Sequence, residues 1–372
     1  MTGTGPARAS MELVSRGDPL SPFLFRAVAR HFDVVAELDP DLRRWQRYLV
    51  AATSFRPSRA AWAERFFKSL LARRLRTRNA RTLHDRHGAE ADVTLQVHAL
   101  FAVEWARAAV YVDCTHRQVV EQWPAWNPLR GRALAEWHAE ERATYARAQH
   151  LFAFYQATAD SLVDDYGVDP ARVSVVGAGA NVAELPQVRT SAPVGPPEIL
   201  FVGNDFERKG GQVLLEAFAL VRRAHPDARL RLVGAGPRGD LGPGIEATGR
   251  VRDRAELARI YAGATVFCLP SLFDPFPLVV LEAMAHTLPV VATTVCGIPD
   301  MVVEGETGLL VKPHDAAGLA DALCELLRDP VRAQQLGAAG RSRVESRFQW
   351  DHVVDRMLPA LTRERLAGEL SC

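Results

Sequence analysis

Between residues 198 and 294 the chain alternates short apolar runs with longer amphipathic ones, and this alternation constrains the fold more than any other feature. EILFVG (198–203), RLRLVG (229–234), TVFCLP (265–270) and PVVATT (289–294) are short, strongly apolar and read as buried strands. Between them, Gln212 to His225 places Leu214, Leu215, Phe218 and Val221 on one helical face, while Glu256–Tyr261 and Leu278–Ala285 are also helical. Strands separated by helices cannot close as hairpins. They align in parallel and carry helices on both faces, giving an α/β architecture. Ligands of such sheets bind at the carboxyl ends of the strands, so the loops after these runs are where chemistry is expected.

The first half repeats the pattern less regularly. ADVTLQVHAL (91–100), AAVYVDCT (108–115), LFAFY (151–155) and RVSVVG (172–177) read as strands. Ala139–Ala148 and ATADSLVDDYGV read as helices, the latter stopped by Gly167. Pro186 to Pro197 is rich in Pro, Ser and Gly and reads as a linker. A chain of 372 residues has room for two domains, expected at 1–190 and 198–348, with 349–372 as a closing segment. A net charge of +1 argues against a dedicated nucleic-acid binder. The five cysteines (Cys114, Cys268, Cys296, Cys324, Cys372) are scattered without C-x-x-C, which suits a reducing compartment and offers no zinc framework. MTGTGPARASMEL lacks the apolar core of a signal peptide, and no apolar run reaches the ~18–20 residues of a membrane span. The expected location is cytoplasmic.

Two segments carry candidate chemistry. In FVGNDFERKGG (201–211) a strand ends at Gly203, and Arg208 and Lys209 precede two glycines and a helix. Free N–H groups at a helix start and two adjacent cations suit a diphosphate; the plainer alternative is a solvated charged turn. In PSLFDPFPLVVLEAMA (270–285), Asp274 precedes a helix and Glu282 lies within it, both placed to accept hydrogen bonds from sugar or ribose hydroxyls. The plainer alternative there is an N-cap aspartate and a surface glutamate.

Three other segments invite readings. GAGPRG (234–239) and GAGAN (177–181) resemble dinucleotide fingerprints. Such a site needs an unbroken helix after its glycines and an acidic residue about 20 positions on. Pro237, Gly242, Pro243 and Gly244 break any helix after the first, and Pro186 crowds the second. Asp39-Pro40-Asp41 resembles a metal-binding D-x-D and reads instead as a cap on a helix starting near Leu42. From Arg43 to Arg86 there are 13 Arg or Lys residues against Glu64 and Asp85, with Trp62, Phe66, Leu70 and Leu71 at helical spacing. One reading is peripheral contact of residues 43–86 with an anionic membrane; the other is a face packed on the first sheet with its arginines in water.

The ordered set YGVDPARVSVVGAGAN, FVGNDFERKGG, LVGAGP, GRV, FDPFPLVVLEAMA, TLPVVATTVCGIPDMVVEGETGLLV and the F-x-W of Phe348 and Trp350 resembles the retaining GT-B glycosyltransferases, family 4-like. The resemblance covers nearly all of 140–350. It implies two Rossmann-like domains facing across a cleft, a nucleoside diphosphate sugar as co-substrate, no metal or other cofactor, and a final helix returning to the N-terminal domain. It also implies site roles. Arg208 and Lys209 match the pair on the donor diphosphate, with Gly203 ending the strand before them. Glu282 matches the carboxylate on the ribose, and Asp274 stands where the family usually has Glu, facing the transferred sugar. Phe276, Pro277 and Leu278 match the turn whose N–H groups reach sugar and phosphate, and Gly249-Arg250-Val251 the loop beside the nucleobase. His116, after YVDCT, matches a histidine near the donor sugar, with His98 as the competing assignment. Cys296 replaces a usual Gly, Tyr155 replaces a usual Ser, and Gly17 with residues 21–23 is the nearest counterpart of the acceptor loop.

The implied reaction moves a hexose from a UDP- or GDP-sugar to a hydroxyl acceptor, a sugar or lipid-linked sugar, with retention at the anomeric carbon. It would serve glycan, cell-surface polysaccharide or glycolipid synthesis, at the inner face of the membrane if the basic run makes contact there. The departure at Asp274 motivates an alternative, a catalytically silent nucleotide-sugar or sugar binding protein.

Overall fold

The computed structural model describes residues 9–369, apart from 89, 106, 189–194, 235 and 238–240. The chain forms two units, one comprising residues up to Gly177 together with those from Val353 onward, the other Ala178–His352. Each is built on a six-stranded sheet in which every pairing is parallel.

In the first unit, β1 (Ser10–Val14) leads through α1 (Ser21–Val28) to β2 (Asp33–Leu38), then α2 (Arg44–Ser54), α3 (Arg59–Phe67) and α4 (Leu70–His87). There follow β3 (Val93–Val97), β4 (Ala108–Val112), α5 (His116–Gln122), α6 (Gly131–Arg147), β5 (His150–Ala153), α7 (Gln156–Asp164) and β6 (Val173–Val175). The order across the sheet is β2-β1-β3-β4-β5-β6. β3 and β4 are buried at every position, as expected of central strands covered on both faces, whereas the edge strand β2 alternates toward solvent. Strand addition reverses at β1, which has β2 on one side and β3 on the other.

The second unit runs β7 (Glu198–Gly203), α8 (Gly211–Ala224), β8 (Arg229–Gly234), β9 (Ile245–Gly249), α9 (Arg254–Gly263) and β10 (Val266–Leu269). It continues through α10 (Leu278–Ala285), β11 (Val290–Thr293), α11 (Ile298–Met301), β12 (Gly308–Val311), α12 (Ala316–Arg328) and α13 (Pro330–Arg347). A last helix, α14 (Trp350–Glu369), starts here and continues in the first unit. The sheet order is β12-β11-β10-β7-β8-β9, so the reversal falls between β7 and β10. Crevices at such reversals are the binding places of open α/β sheets.

Several expectations are corrected. The division falls at Gly177/Ala178 rather than near residue 190, because the segment after it is tied to the second unit. Ala180 N–H donates to Phe348 O (2.8 Å), Trp350 Nε1 to Asn181 Oδ1 (3.2 Å) and Arg341 Nη1 to Pro186 O (2.8 Å). Part of the expected linker, 189–194, lies outside the described residues, as do 235 and 238–240 of the GAGPRG segment. Asp39-Pro40-Asp41 caps no helix: α2 begins after Arg43, and Asp41 instead binds Arg47 (2.7 Å) and Arg76 (3.2 Å).

The packed-face reading of the basic run holds only in part. Phe66 and Leu71 do pack inward, on Leu42, Val50 and Ala72. Two of the arginines are not in water: Arg73 and Arg76 are fully buried. Arg73 meets Glu140 Oε2 (3.2 Å), donates to Thr144 Oγ1 (2.7 Å) and lies over the Trp137 ring; Arg76 donates to Asp41 and to Phe67 O (3.0 Å). Conversely α2 and the loop after it turn Trp45, Tyr48 and Phe55 outward, at 59, 66 and 59% exposure.

Candidate functional site

The β7/β10 reversal gathers the cation pair and the first carboxylate. The loop leaving β7 brings Arg208 and Lys209 to the start of α8, where Gly210, at φ +71°, supplies the left-handed turn. A Cβ at Gly210 would lie 1.8 Å from Pro270 O, so only glycine lets this loop close on the end of β10. Gly203 serves the side chain in the same way, since a Cβ there would lie 2.4 Å from Lys209 Cδ.

Asp274, in the loop after β10, receives both cations. Lys209 Nζ donates to Asp274 Oδ2 at 2.6 Å, and Arg208 Nη1 lies 3.4 Å from the same oxygen. Arg208 is further held by Phe273 O (2.7 Å) and by Asp205 Oδ2 (3.2 Å). All three of Arg208, Lys209 and Asp274 are buried. Lys209 and Arg208 share Asp274, and Arg208 is also paired with Asp205, so the two cations are held in fixed positions at the end of the sheet. No side chain caps α8 or α10, and neither has an acid in its first turn, so their leading N–H groups add to an anion-attracting field.

Glu282, in α10, is buried; Tyr261 donates to its Oε2 (3.0 Å) and Arg254 lies 3.5 Å from Oε1. Burial raises its pKa, partly offset by Arg254 and the Tyr261 hydroxyl. A carboxylate so held is rigid and is suited to accept hydroxyl hydrogens. Phe276 is buried against Phe348, Pro277 is the N-cap of α10 and Leu278 its first residue. Pro275 O accepts from Gly297 N–H (2.9 Å), joining this turn to the loop of Cys296. Cys296 sits at φ +49°, a conformation suited to glycine and costly for a Cβ-bearing residue. Val251 follows Gly249, which ends β9 at φ +70°.

His116 belongs to the first unit and is the first residue of α5, buried, behind its cap Thr115. Its N–H donates to Glu141 Oε1 (3.3 Å) and its Nδ1 lies 3.1 Å from His138 Nε2. Burial, then the charges of Lys68, His138 and Arg73, push its pKa down to about 3, so it is neutral near pH 7. His98 is the opposite case. It leaves β3 at φ +61° with Nδ1 3.0 Å from Asp113 Oδ1 and Nε2 3.7 Å from Asp18 Oδ2. Burial opposes its charge, but the two carboxylates prevail and raise its pKa to about 9.

Reading by sequence missed Asp205, Tyr261, Arg254 and Asp113. Asp205 stood inside a quoted motif three residues before Arg208; the other three act through contacts made only by folding. Among the described residues no three His, Cys, Asp or Glu side chains group as metal ligands would, and no helix is long and apolar enough to cross a membrane.

Residues 196–329 match the family model described as glycosyl transferases group 1. A glycogen synthase of Mycobacterium tuberculosis is 29% identical over 268 residues, covering 70% of this chain and 64% of the relative. The chain thus spans a little under two thirds of that relative's length. An alpha-maltose-1-phosphate synthase of Mycolicibacterium smegmatis is 30% identical over 269 residues, covering 63% of this chain and 68% of the relative. In structure, a sucrose-phosphate synthase of Thermosynechococcus elongatus superposes with a TM-score of 0.66 at 21% identity, over 98% of this chain and 99% of that one. With the parallel sheets, the matched motifs and these relatives, the chain belongs to the GT-B glycosyltransferases, in the family of glycosyl transferases group 1.

Proposed function

We propose that the protein is a retaining glycosyltransferase that moves a hexose from a UDP- or GDP-linked sugar to a hydroxyl acceptor, without a metal or other cofactor, in glycan, polysaccharide or glycolipid synthesis. The observation that carries this reading is the buried Arg208–Lys209 pair beside two uncapped helix starts at the β7/β10 reversal. That arrangement supplies what a departing nucleoside diphosphate requires, fixed positive charge in a partly dehydrated place. Glu282 would hold the ribose, Asp274 and the Phe276–Leu278 turn the sugar, and the Val251 loop the base. With retention of this kind the leaving phosphate takes the acceptor's proton, and His116, neutral by burial, orients rather than protonates.

The test is transfer and hydrolysis by the purified protein with UDP- and GDP-sugars. Arg208→Ala with Lys209→Ala should lower turnover on the order of a thousandfold while the fold remains. Near-normal turnover in the double variant refutes the assignment. The contact of Lys209 with Asp274 favours one second reading, a silent nucleotide-sugar binding protein; nucleotide binding without turnover, in the wild type and in Asp274→Glu, would select it.

We also propose that the protein works at the cytoplasmic face of a membrane, through α2. Trp45, Tyr48 and Phe55 stand exposed among Arg44, Arg47 and Arg56, the mixture of amphipathic rings and cations that suits an anionic lipid surface. Sedimentation with anionic vesicles should be strong at low salt and lost in Trp45→Ser with Tyr48→Ser. Equal sedimentation of this variant counts against the contact.

A further inference from the structure

Glu282 and His286 lie one helical turn apart, and His286 is the C-cap of α10. His286 Nδ1 lies 2.8 Å from the carbonyl oxygen of Glu282 itself. A carbonyl only accepts, so the imidazole proton sits on Nδ1 and the ring is fixed to its own helix. Burial, partly offset by this hydrogen bond, lowers the pKa of His286, and Arg341 lowers it further. The ring is therefore neutral near pH 7. The end of the helix is fastened as well, since Arg341 donates to Ala285 O and to Pro186 O.

Against that ring lies Tyr261. The ring centres are 4.9 Å apart with the planes 19° from parallel, and Phe267 meets the same phenol ring at 6.0 Å. Tyr261 is fully buried, and its hydroxyl ends on Glu282 Oε2 at 3.0 Å. Burial, and then the charge of Glu282, push the phenol pKa well up, so the proton stays on oxygen and is donated to the carboxylate. A circuit results: the Glu282 carbonyl orients His286, His286 braces Tyr261, and Tyr261 holds the Glu282 carboxylate. A glutamate side chain has several free torsions, and ordering them is costly. Rings that impose this order beforehand spare a ligand that cost.

We propose that Tyr261 is the positioning residue of the ribose carboxylate and that His286 positions Tyr261, so that the site selects a nucleotide by its ribose hydroxyls. This rests on the reading of Glu282 as the ribose ligand. The other charged neighbours of the carboxylate are Arg254 of α9 and Lys209 of the loop after β7, and both remain when the phenol hydroxyl is removed.

Calorimetric titration with UDP and GDP, each against its 2′,3′-dideoxy analogue and against inorganic diphosphate, tests it. The wild type should prefer the ribonucleotide about tenfold or more. Tyr261→Phe, which keeps both ring contacts, should reduce that preference to about threefold or less while diphosphate binds as before. The pH profile separates positioning from mere support. The preference is present while Glu282 is ionised and is lost as pH falls through its pKa. Removing a hydrogen bond to the charged form raises that pKa, so in Tyr261→Phe the loss should come about half a unit or more higher in pH. His286→Phe, which keeps a ring against Tyr261, should retain the preference, and His286→Ala should lose it; any other pattern overturns the part given to the His286 ring. A wild-type preference and pH midpoint in Tyr261→Phe overturn the proposal, whatever happens to stability. Failure of the wild type to bind nucleotide, or equal binding of the dideoxy analogue, refutes instead the ribose role of Glu282 on which it rests.

Discussion

Replacing Asp274 by Asn separates the two tasks of the cation pair. Asp274 Oδ2 lies 2.6 Å from Lys209 Nζ and 3.4 Å from Arg208 Nη1, with side-chain exposures of 10, 11 and 9% for Asp274, Lys209 and Arg208. Removing one partner of a buried ion pair costs about 3–5 kcal/mol, because the remaining charge is left dehydrated and uncompensated. Asn keeps an oxygen near Lys209, and Arg208 keeps Asp205 and Phe273 O, so the lower end, about 3 kcal/mol, is expected. The same change favours the donor. A diphosphate entering the wild-type site must share or displace Asp274, whereas in the variant it meets a Lys209 released from that carboxylate and an Arg208 still held by Asp205 and Phe273 O. We expect about tenfold tighter binding of UDP or GDP, equivalent to about 1.4 kcal/mol. Urea denaturation of the ligand-free variant reads the first effect and calorimetric titration the second. At about 100 times Kd, nucleotide should return about 2.7 kcal/mol, most of what the substitution removed. A variant as stable as the wild type, or one that binds nucleotide more weakly, would refute the reasoning.

Other consequences are simpler to check. Gly203→Ala puts a Cβ 2.4 Å from Lys209 Cδ and should displace that side chain, weakening nucleotide binding about tenfold in calorimetry, a loss of about 1.4 kcal/mol. Glu282→Gln keeps a partner for Tyr261 but not the charge facing Arg254, so affinity for a nucleotide should fall severalfold more than affinity for inorganic diphosphate. His98 has a folded pKa of about 9, above its usual 6.5, so its contribution is complete below about pH 6.5 and is lost as pH rises through 9. Asp113 is open to solvent over 35% of its side chain, which screens the pair, and we expect a loss of about 2 kcal/mol across that window. Urea midpoints from pH 6 to 10 should show this slope in the wild type and not in His98→Gln.

What could be read from the sequence follows a physical division. β7, β10 and β11 were legible because strands covered on both faces are continuous apolar runs, and β8 because RLRLVG alternates arginine with apolar residues at the strand period. β2, as DVVAEL, and β9, as IEATG, are edge strands that carry charges and alternate toward solvent, which resembles a loop. β1 was hidden by Glu12, fully buried beside His84 and Thr94. In the same way Arg208 and Lys209 were visible as neighbours after a glycine, but their common partner lies 65 residues from Lys209 and meets it only because β7 adjoins β10. The cavity walled by the loops after β1, β3 and β4 draws Arg16, Lys68, His116 and Trp137 from four separate segments, and no local pattern announces such a grouping.

The helix α14 has a consequence for how the gene can be cut. Residues 178–352 are one uninterrupted piece of chain, closed on itself where Gly179 meets the Trp350 ring so tightly that a Cβ would lie 2.5 Å from it. A module of that kind can be excised and joined to other partners as a cassette. The first unit has no such independence. Val353, Val354 and Met357 are fully buried, and Arg356 donates to Val176 O at 2.6–2.9 Å, so the piece ending at residue 177 lacks part of its own interior. Its replacement by recombination requires two simultaneous crossovers, one at the 177/178 boundary and one at 352/353.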